Sequence, residues 1–166
     1  MRILSIVIAV AMATVLAGCS SKFKTYNGPE VTQVIVQKGE RRIHMMHHGR
    51  VLKTYPIRLG FAPVGDKQVE GDGKTPEGLY FIDRRNPNSN FHLSLGISYP
   101  NEQDIAEALA MGRSPGGDIF IHGGPRKGSS ADGRTDWTWG CIALTDRQIE
   151  RVYAMVKDGT PIYIMP

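Results

Sequence analysis

From Val31 onward the chain runs in short alternating segments divided by glycine-containing turns, and this rhythm restricts it to a β-rich fold. Val31 to Lys38 is β-branched and apolar, and Lys38-Gly39-Glu40 forms a turn. Arg42 to His47 sets Ile43 and Met45 against His44 and Met46. After a second turn at His48-Gly49-Arg50, alternation resumes through Val51, Lys53, Tyr55 and Ile57 as far as Leu59. Successive strand residues point to opposite faces, so this pattern buries one face, and the short turns make an antiparallel meander. Further extended segments are expected at Leu79 to Arg84, Phe91 to Tyr99, Asp118 to His122, Thr138 to Leu144 and Thr160 to Met165. In the second of these, Phe91, Leu93, Leu95 and Ile97 alternate with polar residues, which places His92 on the polar face.

Two helices interrupt the strands. Asn101 can cap the first, over Asn101 to Met111, with Ile105, Ala108 and Leu109 along one face. Thr145 and Gln148 form a capping box for the second, over about 146 to 157. There Ile149, Val152, Tyr153 and Val156 recur at helical spacing before Gly159. The fold class is therefore mainly β, a β-sandwich or open barrel with two short flanking helices. Between Gly60 and Gly78 lies a loop rich in Gly, Pro and Asp. Its Gly71-Asp72-Gly73-Lys74-Thr75 segment lacks the first glycine of a phosphate loop, since Gln68 stands there. His44, His47 and His48 do not share one strand face, so no metal site is expected from them.

The beginning of the chain has another character. Arg2 precedes an apolar run from Ile3 to Leu16, too short to span a bilayer, which reads as a signal-peptide core. It ends in Leu16-Ala17-Gly18-Cys19, which resembles the lipobox of bacterial lipoproteins. That resemblance implies removal of residues 1–18 and acylation of Cys19 as the new N-terminus. Ser20 in the next position resembles the pattern of lipoproteins sent to the outer membrane, with the domain facing the periplasm. Residues 19–30 then read as a lipidated tether, spanning at most roughly 35–40 Å when extended, and 31–166 as one domain. The net charge is +4 with no Lys/Arg-rich run, which argues against a nucleic-acid partner.

With Cys19 acylated, Cys141 is the remaining cysteine of the two and has no partner in the chain. A lone thiol in an oxidising compartment invites a chemical reason. His122 closes the apolar run Ile119-Phe120-Ile121 and is followed by Gly123 and Gly124, so bare backbone lies beside it. Gly140 directly precedes Cys141. An imidazole beside a thiol can take its proton, and amides around Gly140 and Cys141 can receive an oxyanion. The same two residues would also suit a buried structural cysteine and a core histidine.

The stretch His122-Gly123, a fourteen-residue spacer, then Thr138-Trp139-Gly140-Cys141-Ile142 resembles the catalytic motif of the L,D-transpeptidase (YkuD-type) family. Gly71 to Tyr80 and His92 to Asn101 also resemble segments of that family, in the same order. The resemblance implies a β-rich catalytic domain that needs neither metal nor cofactor. It implies Cys141 as the nucleophile, forming a thioester with a peptidoglycan stem peptide, and His122 as its base. Thr138, Trp139, Gly140 and Gly123 would shape the oxyanion and substrate region. Implied partners are tetrapeptide stems, a wall-linked protein as acyl donor or acceptor, and the membrane through the anchor. Transfer to an amine gives a cross-link and transfer to water gives hydrolysis; a non-catalytic wall-binding lipoprotein is the alternative of another class. Trp139 replaces the motif's usual histidine, where the backbone carbonyl is expected to steer His122. Ala143 replaces a common arginine, and Arg126 or Arg134 is the candidate to hold a substrate carboxylate instead.

Overall fold

The structure is a computed structural model that describes residues 21–166. The expected signal segment and Cys19 lie outside the described residues. Eight strands form one curled sheet: β1 Gln33–Gln37, β2 Arg42–His47, β3 Arg50–Pro56, β4 Gly78–Asn86, β5 Ser94–Ile97, β6 Phe120–His122, β7 Ile142–Ala143 and β8 Pro161–Met165. Their order across the sheet is β3-β2-β1-β8-β4-β5-β6-β7. The opening strands make the expected antiparallel meander. Two pairings are parallel, β1 with β8 and β6 with β7.

Strand β4 curls the sheet. Its first half, Gly78 to Phe81, pairs with β8, and its second half, from Ile82, pairs with β5. A bulge between Ile82 and Arg84, early in the second half, bends the strand, as an extra residue in a ladder does. Beyond β3, Arg58 pairs with Ala143 of β7 and Gly60 with Thr138, so the two sheet edges approach one another as in an open barrel. The enclosed core is mostly aliphatic, including Val34, Ile43, Ile82, Leu95, Ile121 and Ile162, with Tyr55, Tyr80 and Tyr99 among them.

Helix α1 spans Glu102–Ala110 and α2 spans Asp146–Met155. Asn101 caps α1 in a reciprocal box with Asp104, and Thr145 caps α2 in a box with Gln148. The inward face of α1 differs from the expected one. Ile105 and Leu109 are exposed, and Asp104 and Ala108 are buried. The Tyr80 hydroxyl donates to both Asp104 carboxylate oxygens, at 3.1 and 3.0 Å. A buried hydroxyl requires an acceptor, and this requirement outweighs the helical apolar pattern. In α2 the expected face is inward, with Ile149, Val152 and Val156 buried and Tyr153 half-buried.

Two other segments depart from expectation. Strand β5 is four residues long and all of them are buried. Phe91 to Leu93 is a bend in which His92 takes φ 73° and its Nε2 meets the Glu150 carboxylate at 2.9 Å. Residues 21–30 pack against the domain, so the reach of a free tether does not apply to them. Phe23 lies against Tyr153, Lys24 pairs with Glu150 at 3.3 Å, and Tyr26 packs on the core. Two of the histidines of the opening strands have protein partners: His44 Nδ1 meets the Thr54 hydroxyl and Nε2 the Gln37 side-chain oxygen, and His47 Nδ1 meets the Glu30 carbonyl. No cluster that could hold a metal occurs among the described residues.

The loop from Gly60 to Gly78 is ordered by two buried lysines. Lys38 Nζ donates to the Gly65 and Thr75 carbonyls and to Glu77, at 2.6 to 2.8 Å. Lys67 Nζ donates to the Val69 carbonyl and to Asp72. Each ammonium has acceptors around it, the condition under which a buried charge is tolerated. Lys38→Ala is expected to destabilise the fold by about 3 kcal/mol, because it leaves Glu77 and two carbonyls without their donor. Thr145→Ala removes one helix cap and should cost about 1 kcal/mol. Urea unfolding of the two variants, compared by midpoint, checks this ranking.

Candidate active site

Strand β6 ends in His122, and Cys141 directly precedes β7. The two strands pair in parallel, Ile121 with Ile142 and His122 with Ala143. This register sets Cys141 level with Phe120, two residues before His122, and residues two apart along a strand share a face. His122 and Cys141 accordingly line one cavity of about 680 Å³, together with Phe91, Arg126, Trp137 and Trp139. Thr138 is also in the lining.

Aromatic packing surrounds the His122 ring. Phe91 stacks on it with centroids 4.5 Å apart and planes 28° apart, and Trp137 meets it edge-on at 5.6 Å. The Nδ1 position lies 2.7 Å from the Gly123 carbonyl. A carbonyl only accepts, so in the neutral ring Nδ1 carries the proton and Nε2 is left as an acceptor. The steering carbonyl is thus that of Gly123 and not that of Trp139. Burial pushes the imidazole pKa below its ordinary value, and this outweighs the opposing pull of the Gly123 carbonyl.

Cys141 is a free cysteine. Its S–H reaches the Asp118 carbonyl at 3.5 Å, and the Phe120 N–H donates to Sγ at 3.4 Å. The residue as a whole is only half-buried. Burial around its sulfur nevertheless pushes the thiol up to about 11, against the Phe120 N–H, which favours the thiolate. The resting pair at neutral pH is therefore a neutral thiol and a neutral imidazole, with Nε2 free to receive a proton.

Thr138 holds the turn before the cysteine. Its buried hydroxyl donates to the Cys141 carbonyl at 2.7 Å and accepts the Gly140 N–H at 3.2 Å. The Gly140 amide is thereby occupied and is not available to an oxyanion. Gly140 has φ 118°, and a Cβ there would lie 2.6 Å from the Lys74 carbonyl. Only glycine suits this position. A Cβ on Gly60 would fall 2.0 Å from the Gly73 carbonyl and 3.1 Å from Gly140 Cα, so three backbone segments meet at van der Waals distance under the cysteine.

The remaining sequence candidates separate. Gly123 is buried, and its N–H is shared between the Phe91 and Leu93 carbonyls at 3.0 and 3.3 Å, so it acts through its own carbonyl on His122. Arg126 lines the cavity and donates to the Asn90 carbonyl at 3.0 Å. Arg134 does not line it; its carbonyl accepts from the Arg58 guanidinium. Ala143 is buried and pairs across the strands with Arg58. Trp137 packs within the site, whereas Trp139 is 71% exposed and stands edge-on to Phe61 at its mouth.

Several residues of the site gave no sequence signal. Asp136 accepts the Leu59 N–H and pairs with Arg41, both at 2.9 Å, and the N–H groups of Trp137 and Thr138 donate to the Leu59 carbonyl. These bonds join positions far apart in the chain, which periodicity does not report. Phe91 looked like one more apolar position in a strand.

Known proteins resemble this chain in sequence and in fold. The sequence model of the YkuD family, the L,D-transpeptidase catalytic domain, matches residues 32–164. The YafK protein of Escherichia coli (strain K12), named as a candidate L,D-transpeptidase, is 28% identical over 126 residues, 75% of this chain and 44% of its own length. The helical cell shape determining protein Pgp2 from Campylobacter jejuni superposes with TM-score 0.62 and 29% identity, over 89% of this chain and 51% of Pgp2. The Bdellovibrio bacteriovorus protein Bd1075 superposes with TM-score 0.57 over 86% of this chain and 50% of its own, at 23% identity, a likeness of fold. This chain thus spans about half the length of these relatives. On the family match over most of its length, the chain belongs to the L,D-transpeptidase catalytic domain family.

Proposed function

We propose that the chain is a peptidoglycan L,D-transpeptidase in which Cys141 is the nucleophile and His122 the general base. The observation that carries this reading is the shared cavity, lined by a free thiol and an imidazole with an available Nε2 from two paired segments. The thiol turns from the Asp118 carbonyl to Nε2 and gives up its proton as sulfur attacks the carbonyl carbon of a tetrapeptide stem, after the third, diamino acid residue. The oxyanion is received at the Cys141 N–H, the amide left over once Thr138 has taken that of Gly140. His122 then returns the proton to the departing amine of the terminal residue, leaving a thioester. An incoming amine repeats the sequence in reverse and forms the new amide; water in its place gives the acid.

Arg126 is the single guanidinium in the cavity lining, and we assign it to the carboxylate of the stem peptide. The acyl acceptor is a second stem or a wall-linked protein, and the domain works in the periplasm on an anchor at Cys19 in the outer membrane. Pgp2 is named for helical cell shape, and a part in cell shape belongs to the same proposal.

A carbapenem should add one equivalent to the wild-type chain by intact mass and none to Cys141→Ala. An unmodified wild type, or an equal adduct on the variant, would refute the thiol chemistry. Purified disaccharide-tetrapeptide distinguishes the outcomes by product mass: a dimer marks transfer, loss of the terminal residue marks hydrolysis, and neither marks a binding protein. The pH dependence follows from the two neutral groups. His122 is a base only when deprotonated, and its pKa is depressed, so acylation should rise with pH on a limb centred below 6.5 and stay level up to about pH 9. A bell with its maximum below pH 6 would instead indicate a resting thiolate–imidazolium pair. Gly140→Ala should slow acylation roughly tenfold or more, since its Cβ must displace the Lys74 backbone and with it the cysteine.

A further inference from the structure

The segment before the sheet reaches the catalytic histidine through one intermediate residue. Lys22 is partly buried, and its Nζ donates to the Pro87 carbonyl at 2.6 Å and the His92 carbonyl at 3.2 Å. These carbonyls flank the turn between β4 and β5, and Phe91 projects from that turn onto the His122 ring. The Phe91 carbonyl also accepts the Gly123 N–H, next to the carbonyl that orients Nδ1. The turn contains a left-handed residue, His92 at φ 73°, a conformation that persists only where its surroundings impose it. Phe91 itself is 39% exposed, so core packing does not hold it. A second cation of the segment, Lys24, pairs with Glu150, which also holds the His92 ring.

We propose that Lys22 is a positioning residue for catalysis: its ammonium pins the Pro87–His92 turn, and the pinned turn seats Phe91 against His122. The inference rests on the reading of His122 as the base. It extends the catalytic apparatus beyond the family-matched residues into the segment that precedes them. A cation on two neutral carbonyls makes charge-assisted hydrogen bonds, stronger than those of an uncharged donor, and the salt dependence of a surface ion pair is absent. Arg126 and Cys141 are the other ionisable side chains lining the His122 cavity, and neither belongs to this turn.

The test uses the chain with residues 21–166 intact and the variants Lys22→Met, Lys22→Arg and Phe91→Ala. Carbapenem acylation rates are measured against pH, and the His122 imidazole protons are followed by NMR, where the Phe91 stack sets their ring-current shift. Lys22→Met should slow acylation roughly tenfold, move the acid limb upward toward 6.5 and shift the imidazole protons, with the melting temperature nearly unchanged. Lys22→Arg should recover most of the rate. In a Phe91→Ala background, Lys22→Met should have no further effect, because its action runs through the ring. Unchanged rate and shifts in Lys22→Met would overturn the proposal. A loss that Lys22→Arg does not recover and that accompanies a lowered melting temperature, or an equal loss in the Phe91→Ala background, would overturn it too. If the wild type takes no carbapenem, the thiol reading fails, and the imidazole shifts still decide whether Lys22 seats the ring.

Discussion

Two residue pairs of parallel backbone, Ile121 with Ile142 and His122 with Ala143, set the geometry on which the site depends. A two-residue strand cannot hold itself in place. It is held from the other side by Arg58, whose backbone exchanges both hydrogen bonds with Ala143, and from above by the Leu144 N–H on the His122 carbonyl. Below the cysteine, Gly60, Gly73 and Gly140 allow three backbone segments to touch. Main-chain contacts thus place the cysteine backbone, and its sulfur meets the Asp118 carbonyl and the Phe120 N–H.

The histidine is placed differently. Aromatic rings confine it, a neighbouring carbonyl sets its tautomer, and burial keeps it neutral. The same desolvation keeps the thiol protonated. Such a pair does not store a thiolate in the resting state. A protonated thiol is the less oxidisable form, since the thiolate is what oxidants attack.

Much of the fold is legible in the alternation. The opening meander, both helices with their N-cap residues, and the closing strand occur where the residue pattern places them. The misreadings share a cause. Ile105 and Leu109 have the spacing of a buried face, but the Tyr80 hydroxyl draws Asp104 inward and turns that face outward. Phe91 to Leu93 alternates like a strand, but Phe91 is required at His122 and the chain bends there. Residues 21–30 are polar like a linker, yet their lysines find carbonyl and carboxylate partners on the domain.

By itself the sequence determined the residue types of the site and their positions at the ends of apolar runs, because strand periodicity and glycine placement are local properties. It also determined that Gly140 precedes the cysteine, a choice the left-handed backbone there explains. Only the tertiary structure decided which carbonyl orients His122, which amide the Thr138 hydroxyl occupies, and which arginine enters the cavity. The first two are bonds between near neighbours, His122 with Gly123 and Thr138 with Gly140 and Cys141, and the third ties Arg126 to Asn90; each is fixed by the folded geometry and the demand of buried polar groups for partners, which residue pattern does not report.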